Sequence, residues 1–259
     1  MARKTISTKT KSTSKPPGES LTANKFVDEL RKLHSKAELV NVQRFFRGED
    51  NWNKFIGMRM GNIFALAKKF SAMPLSEVDK LLQNDFYEAR MGGVSIMDFQ
   101  ARNKKITDDN RKKLYDLYLK RHARINNWDL IDRSAPYVIG GYLLDKSRAP
   151  LYKHARSKNV WERRTAIVST AFFIRHRQID DTFAIAELLV DDPHDLIHKA
   201  VGSWVREAGK RDQQMLTNFL DAHAATMPRV MLRYAIEKLD KKLREHYLGL
   251  SEGVAATKK

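Results

Sequence analysis

Residues 165–174 read Thr-Ala-Ile-Val-Ser-Thr-Ala-Phe-Phe-Ile, with no charge and almost no polar face. A helix that is apolar all round has to be covered on every side. The stretch therefore predicts a central helix sandwiched between neighbours. Just before it, Val-Trp-Glu-Arg-Arg at 160–164 sets Arg163 and Arg164 at the helix opening. Both arginines are expected at the rim of the packed array, not inside it.

Outward from there the same pattern repeats. Helical runs near Trp128, Trp161, Ile197 and Arg229 recur at roughly 32–36 residue intervals, close to the period of stacked helix pairs in HEAT-like arrays. The expected fold is all-α: an α-solenoid of HEAT-like helical repeats with a concave basic face, a compact helical bundle being the alternative. Phe26, Leu30 and Leu33 make a first apolar stripe. Thr107 before Asp108 and Asp109 reads as a cap and acidic first turn ahead of Leu114, Leu117 and Tyr118. Pro74, Pro136, Pro150, Pro193 and Pro228 each fall where a periodic run begins, which suits a first helical turn. No stretch alternates long enough to predict a strand.

The 259 residues carry a net charge of +17 and are 42% hydrophobic. That is enough to bury a core, and basic enough to make a polyanion the expected partner, nucleic acid ahead of a membrane surface. There is no cysteine, which excludes disulfides, thiolate catalysis and Cys-ligated zinc. No apolar run approaches the ~20 residues of a membrane span, and no signal-peptide core follows the start. A cytoplasmic, nucleoid-associated protein is expected. A Gly-rich phosphate loop and a Gly-x-Ser-x-Gly elbow are both missing, so nucleotide hydrolysis and acyl transfer have no support.

Three segments are expected: a disordered basic arm at 1–21, a repeat domain at 22–250 and a flexible tail at 251–259. The arm holds five cationic residues against Glu19, so removing it takes four units from +17 and leaves +13. The body is basic in its own right.

Trp128 and Asp132 stand four apart, and on a helix they share one face. A large π surface beside a lone carboxylate makes sense if something flat and cationic sits against both, as a positively charged base in nucleic acid would. The duller alternatives are that Trp128 packs in the core, while Asp132 caps a helix or pairs with Arg133 or Arg164. Basic residues recur on successive runs: Lys199, Arg206, Lys210 and Arg211, then Arg229 and Arg233, with Lys153, Arg156 and Lys158 on an earlier loop. Any one could be a solvated surface charge; their repetition suggests a phosphate track. Trp161 is expected buried. His194 and His198 lack a third ligand nearby, so helix-start packing is expected of them, and neither a metal nor a cofactor is.

Four blocks, NNWDLIDRSAPYVIGGYLLD (126–145), NVWERRTAIVSTAFFIR (159–175), DDPHDLIHKAVGSWVRE (191–207) and HAATMPRVMLRYAIEKL (223–239), carry a resemblance. A weaker one is KFIGMRMGNIFALAKKF (54–70). Together they resemble the bacterial DNA alkylation repair family, the AlkD-like HEAT-repeat DNA glycosylases. The resemblance implies a monomeric, cofactor-free glycosylase that removes bulky or methylated cationic purines, such as 7-methylguanine and 3-methyladenine, from duplex DNA. It also implies that the damaged nucleotide is not flipped into a pocket, unlike in most base-excision enzymes.

By the same resemblance, the family's aromatic and catalytic carboxylate fall on Trp128 and Asp132. Its lesion-side arginine falls on Arg164, expected to clamp flanking phosphates, and a backbone arginine falls on Arg206. Arg59, Arg156, Lys158, Arg163, Lys199, Lys210, Arg229 and Arg233 complete the expected DNA-binding set. There is one departure. The family carries a second lesion-facing tryptophan directly after the glycine of a Lys-Ala-(Ile/Val)-Gly run, but here that position is Ser203 and the tryptophan follows as Trp204. One step along a helix turns a side chain by about 100°. Trp204 then either points into the core or reaches the groove through a local shift, binding substrate there. The rival to an enzyme is a non-catalytic HEAT-repeat protein that binds damaged or unusual DNA.

Overall fold

Local sequence sets most helix starts. Thr22 and Ser35 accept the backbone N–H groups of Lys25 and Glu38, opening α1 (Ala23–Arg31) and α2 (Lys36–Phe45). Pro74 caps α4 (Leu75–Leu82), which follows α3 (Met60–Lys69). After α5 (Tyr87–Ala101), Thr107 accepts from Asn110 N–H and opens α6 (Asp108–Lys120) as expected. The chain continues through α7 (Trp128–Ala135), a π turn (Pro136–Gly140) and α8 (Gly141–Leu143). Then come α9 (Ala149–Ala155), α10 (Val160–Arg175), α11 (Asp180–Leu188), α12 (Asp195–Gly209), α13 (Gln213–His223), α14 (Arg229–Ala235) and α15 (Lys241–Ala256). The structure, a computed structural model, describes residues 21–47 and 52–256, so the expected N-terminal arm lies outside it except for Leu21. Among the described residues there is no strand, only an isolated bridge between Lys54 and Phe86.

The helices stack in two rows. One runs α3, α5, α7, α10, α12, α14, each packed on the next; α4, α6, α9, α11 and α13 back it. The starts of α7, α10, α12 and α14 keep the interval read from the sequence. This is the α-solenoid that was expected. Helix α10 is its centre: Arg164 to Ala171, Phe173 and Ile174 are buried among α7, α9, α11 and α12. Two glycines set how closely the first row packs. A Cβ at Gly140 would stand 2.3 Å from the Ser169 carbonyl oxygen of α10, and one at Gly202 would stand 2.4 Å from that of Met231 on α14. Only glycine fits backbones this close.

Several expectations need correction. Pro136 does not open a helix. It sits inside a continuous helical run, where its missing N–H leaves the Asp132 carbonyl without its i+4 donor. The backbone absorbs the break as a π turn, with Gly141 N–H returning to the Pro136 carbonyl. Leu33 lies past the end of α1 and is 38% exposed, so the first stripe stops at Leu30. Trp161 is half-buried, packed against the core but not enclosed by it. The final helix runs on through Ala256, beyond the tail boundary expected at 250. No helix among the described residues is long and apolar enough to cross a membrane.

Candidate functional site

The start of α7 is held by a short polar relay. The Asn127 amide donates to Asp129 (2.8 Å), and its oxygen accepts the Arg47 backbone N–H (2.9 Å). Asp129 also accepts the Leu130 N–H (2.8 Å) and the hydroxyl of buried Tyr87. Burial pushes the Asp129 carboxyl above its usual range, against the pull of its Tyr87 and Asn127 hydrogen bonds. The Tyr87 hydroxyl is raised as well, first by burial and then by Asp129. This relay fixes the two side chains that follow it. Trp128 is half-buried and donates its indole N–H to the Phe45 carbonyl (3.3 Å). One turn on, Asp132 keeps 35% of its side chain exposed.

Both residues open onto a cavity of about 890 Å³. Its apolar floor includes Ala171, Ile174 and Ala200, from α10 and α12. Trp204 lies on its wall, half-buried beside Ser203, so the exchange of these residue types has not sent the tryptophan into the core. Lys199, Arg206 and Lys210 also line it. Each is paired: Lys199 with Asp195 (3.0 Å), Lys210 with Glu207 (2.7 Å), and Arg206 with Glu207 (3.1 Å) and Glu237. Burial would raise the Glu207 carboxyl, but Lys210 and Arg206 outweigh it and hold Glu207 below its usual range.

Arg164 departs most from expectation. It is not at the rim; its side chain is 7% exposed. Its guanidinium forks onto Asp132 (Nε–Oδ1 2.9 Å, Nη2–Oδ2 2.7 Å) and donates its remaining nitrogen to the Leu196 carbonyl (2.6 Å). Three of its five N–H donors are committed inside the protein, and the Nε–Nη2 edge in particular is taken by Asp132 and not available to a phosphate. The guanidinium also stands 6.0 Å from the Trp128 ring centroid, so the three expected catalytic residues do meet.

Other expected contacts lie elsewhere. Arg163 turns away to Asp192 (Nε–Oδ2 2.5 Å) and to the Ser157 and Lys158 carbonyls, fixing the loop before α10. Arg229 reaches the Leu248 carbonyl (2.8 Å) and ties α14 to α15. Arg59 is exposed beside Glu38, and Arg156 donates to the Tyr152 carbonyl. Lys158 and Arg233 are exposed. None of these six lines the cavity. His194 accepts the Leu196 N–H (3.1 Å) and His198 faces the Asp192 carbonyl, which is helix-start packing. No group of potential metal ligands forms among the described residues.

Arg211, named with the basic run that begins at Lys199, also lines the cavity, and Phe45, Arg47, Arg175 and Tyr234 line it without having been singled out as site residues. For Phe45 and Arg47 a signal existed: Arg44-Phe45-Phe46-Arg47 interleaves aromatics with cations. Phe45, Trp128 and Asp132 also border a second, more apolar cavity of about 640 Å³, lined by Val42, Met58, Met60, Phe64 and Met91.

A family model described as DNA alkylation repair enzyme matches residues 26–239. A solved structure described as a predicted DNA alkylation repair enzyme from Enterococcus faecalis is similar in fold, with a TM-score of 0.63 at 14% identity. The match covers 80% of this chain and 97% of that one. No curated protein matches the chain.

Proposed function

The chain belongs to the DNA alkylation repair enzyme family, and from that premise we propose that it is a DNA glycosylase. Its substrates are cationic N7- and N3-alkylated purines in duplex DNA, and it acts without flipping the damaged nucleotide. The observation that carries this reading is the meeting of Asp132 and Trp128 on one edge of a cavity whose walls bear Lys199, Arg206 and Lys210.

Alkylation at N7 or N3 already gives the purine a positive charge. When the C1′–N bond breaks, the base keeps the bonding electrons and leaves neutral, so no general acid is needed. The positive charge passes to the sugar as an oxocarbenium ion. A fixed anion beside C1′ stabilises that ion more than the ground state, which is how binding energy becomes rate. Asp132 supplies the anion. Arg164 engages each of its oxygens once, which orients the carboxylate and leaves a lone pair on each oxygen for the sugar or for the attacking water. Water then adds hydroxide to C1′ and gives up its proton to Asp132 or solvent. The Trp128 face packs against deoxyribose and cationic base through CH–π and cation–π contact. A base that leaves from an open groove needs no enclosing slot.

The rival reading, a non-catalytic DNA-binding repeat protein, draws on one observation: both Asp132 oxygens are engaged by Arg164. It expects binding without chemistry. Incubating the protein with duplex containing N7-methylguanine and quantifying free base separates the two. The wild type should release base, and Asp132→Asn should be slower by roughly 10²–10³-fold, the scale of losing one electrostatic stabiliser. No release above background, or equal release by both proteins, overturns the glycosylase reading.

A further inference from the structure

The cations of α12 are neutralised by Asp195, Glu207 and Glu237, but those at the end of α2 are not. Arg44 and Arg47 are exposed and form no ion pair among the described residues. Between them, Phe45 is 64% exposed, on a helix with no buried residue. An aromatic left in water at that position is not there for packing.

Its backbone, by contrast, is tied down. Phe46 sets its ring edge-on against Phe55 (5.3 Å) and Tyr87 (5.7 Å). The Phe45 carbonyl accepts the Trp128 indole N–H, and the Arg47 N–H donates to Asn127. The segment is therefore fastened to the same start of α7 that positions Trp128 and Asp132. Phe45 and Arg47 line the same cavity as Trp204 and Lys199.

We propose that Arg44-Phe45-Phe46-Arg47 is a second DNA-contact element. Phe46 is its anchor, Phe45 stacks on the sugar–base edge beside the damaged nucleotide, and Arg44 and Arg47 take phosphates flanking that step. A cationic, aromatic-bearing edge continuous with the groove is complementary to a nucleic-acid strand, where phosphates alternate with flat bases. It also supplies positive charge that α12 has largely spent on its own carboxylates. The proposal rests on reading the cavity as the DNA groove, but not on base release.

The test uses equilibrium binding to duplex with 2-aminopurine next to an uncleavable tetrahydrofuran site. Wild-type binding should change the 2-aminopurine emission; Phe45→Ala should lose at least half of that change, and Phe45→Trp should keep it. The double variant Arg44→Gln/Arg47→Gln should flatten the dependence of log affinity on log salt by about two units, since each neutralised phosphate contributes about 0.9. All three side chains are exposed, so equal melting temperatures should accompany these effects. An unchanged emission response in Phe45→Ala, or an unchanged salt slope in the double variant, overturns the proposal. Because neither readout needs chemistry, a wild type that releases no base would sink the glycosylase reading alone.

Discussion

Arg163 and Arg164 are neighbours on α10, and each forks onto an aspartate about thirty residues away, yet the two pairs occupy different worlds. The Asp192 side chain is 3% exposed and also accepts the His194 N–H, so its pair closes the joint between α9, α10 and α12. The Asp132 side chain is 35% exposed and borders both cavities. Identical chemistry serves structure where it is sealed and is available for function where it opens. Exposure, and not the pairing itself, distinguishes the two.

That contrast can be broken by exchanging one oxygen for an amide on either side. Asp192→Asn leaves the Arg163 charge buried without its counter-ion and should cost about 3–5 kcal/mol of folding stability, read from urea unfolding. Asp132→Asn also strands a buried guanidinium, that of Arg164, but water entering at the 35% exposed carboxylate position can solvate it, so the unfolding midpoint should shift less. If the two variants unfold alike, the division between structural and functional pairs fails.

A smaller effect, of about 3 kcal/mol, probes the sealed side through pH. His122 is buried, stacked on His154 (5.8 Å) and bonded to Thr165 of α10 (2.9 Å). Burial, aided by His154, drops its pKa from 6.5 to about 4. The unfolded chain takes up this proton near pH 6.5 and the folded chain only near 4. Stability should therefore fall as pH drops from about 6.5 to about 4, and His122→Gln should flatten that slope. An unchanged slope in the variant would show that His122 does not set it.

Much of the architecture was legible because burial leaves a mark on composition. The run at 165–174 can only be a central helix, and the spacing of Trp128, Trp161, Ile197 and Arg229 marks the stacked row. Pro136 was misread because a proline looks the same at a helix start and inside a continuous helical run, where its missing N–H is absorbed as a π turn. Trp128 and Asp132 were legible as an i, i+4 pair. Among the arginines only the pairing of Arg164 with Asp132 stood among the alternatives; the rest were not legible, because a guanidinium has the same one-letter signature whether it meets a phosphate or a carboxylate. Arg163, Arg164 and Arg229 found internal acceptors far along the chain, at Asp192, Asp132 and Leu248. Phe45 was overlooked for the opposite reason: its meaning lies in being exposed, which periodicity does not report.

Whether Asp132 faces a sugar cation is best tested with two duplexes, one bearing a cationic pyrrolidine in place of the damaged nucleoside and one bearing neutral tetrahydrofuran. If the carboxylate is placed to stabilise an oxocarbenium ion, the wild type should bind the cationic duplex at least ~100-fold tighter, as transition-state mimics are bound. Asp132→Asn should lose most of that preference. Equal affinity of the wild type for both duplexes, or a preference that survives in Asp132→Asn, would contradict the account.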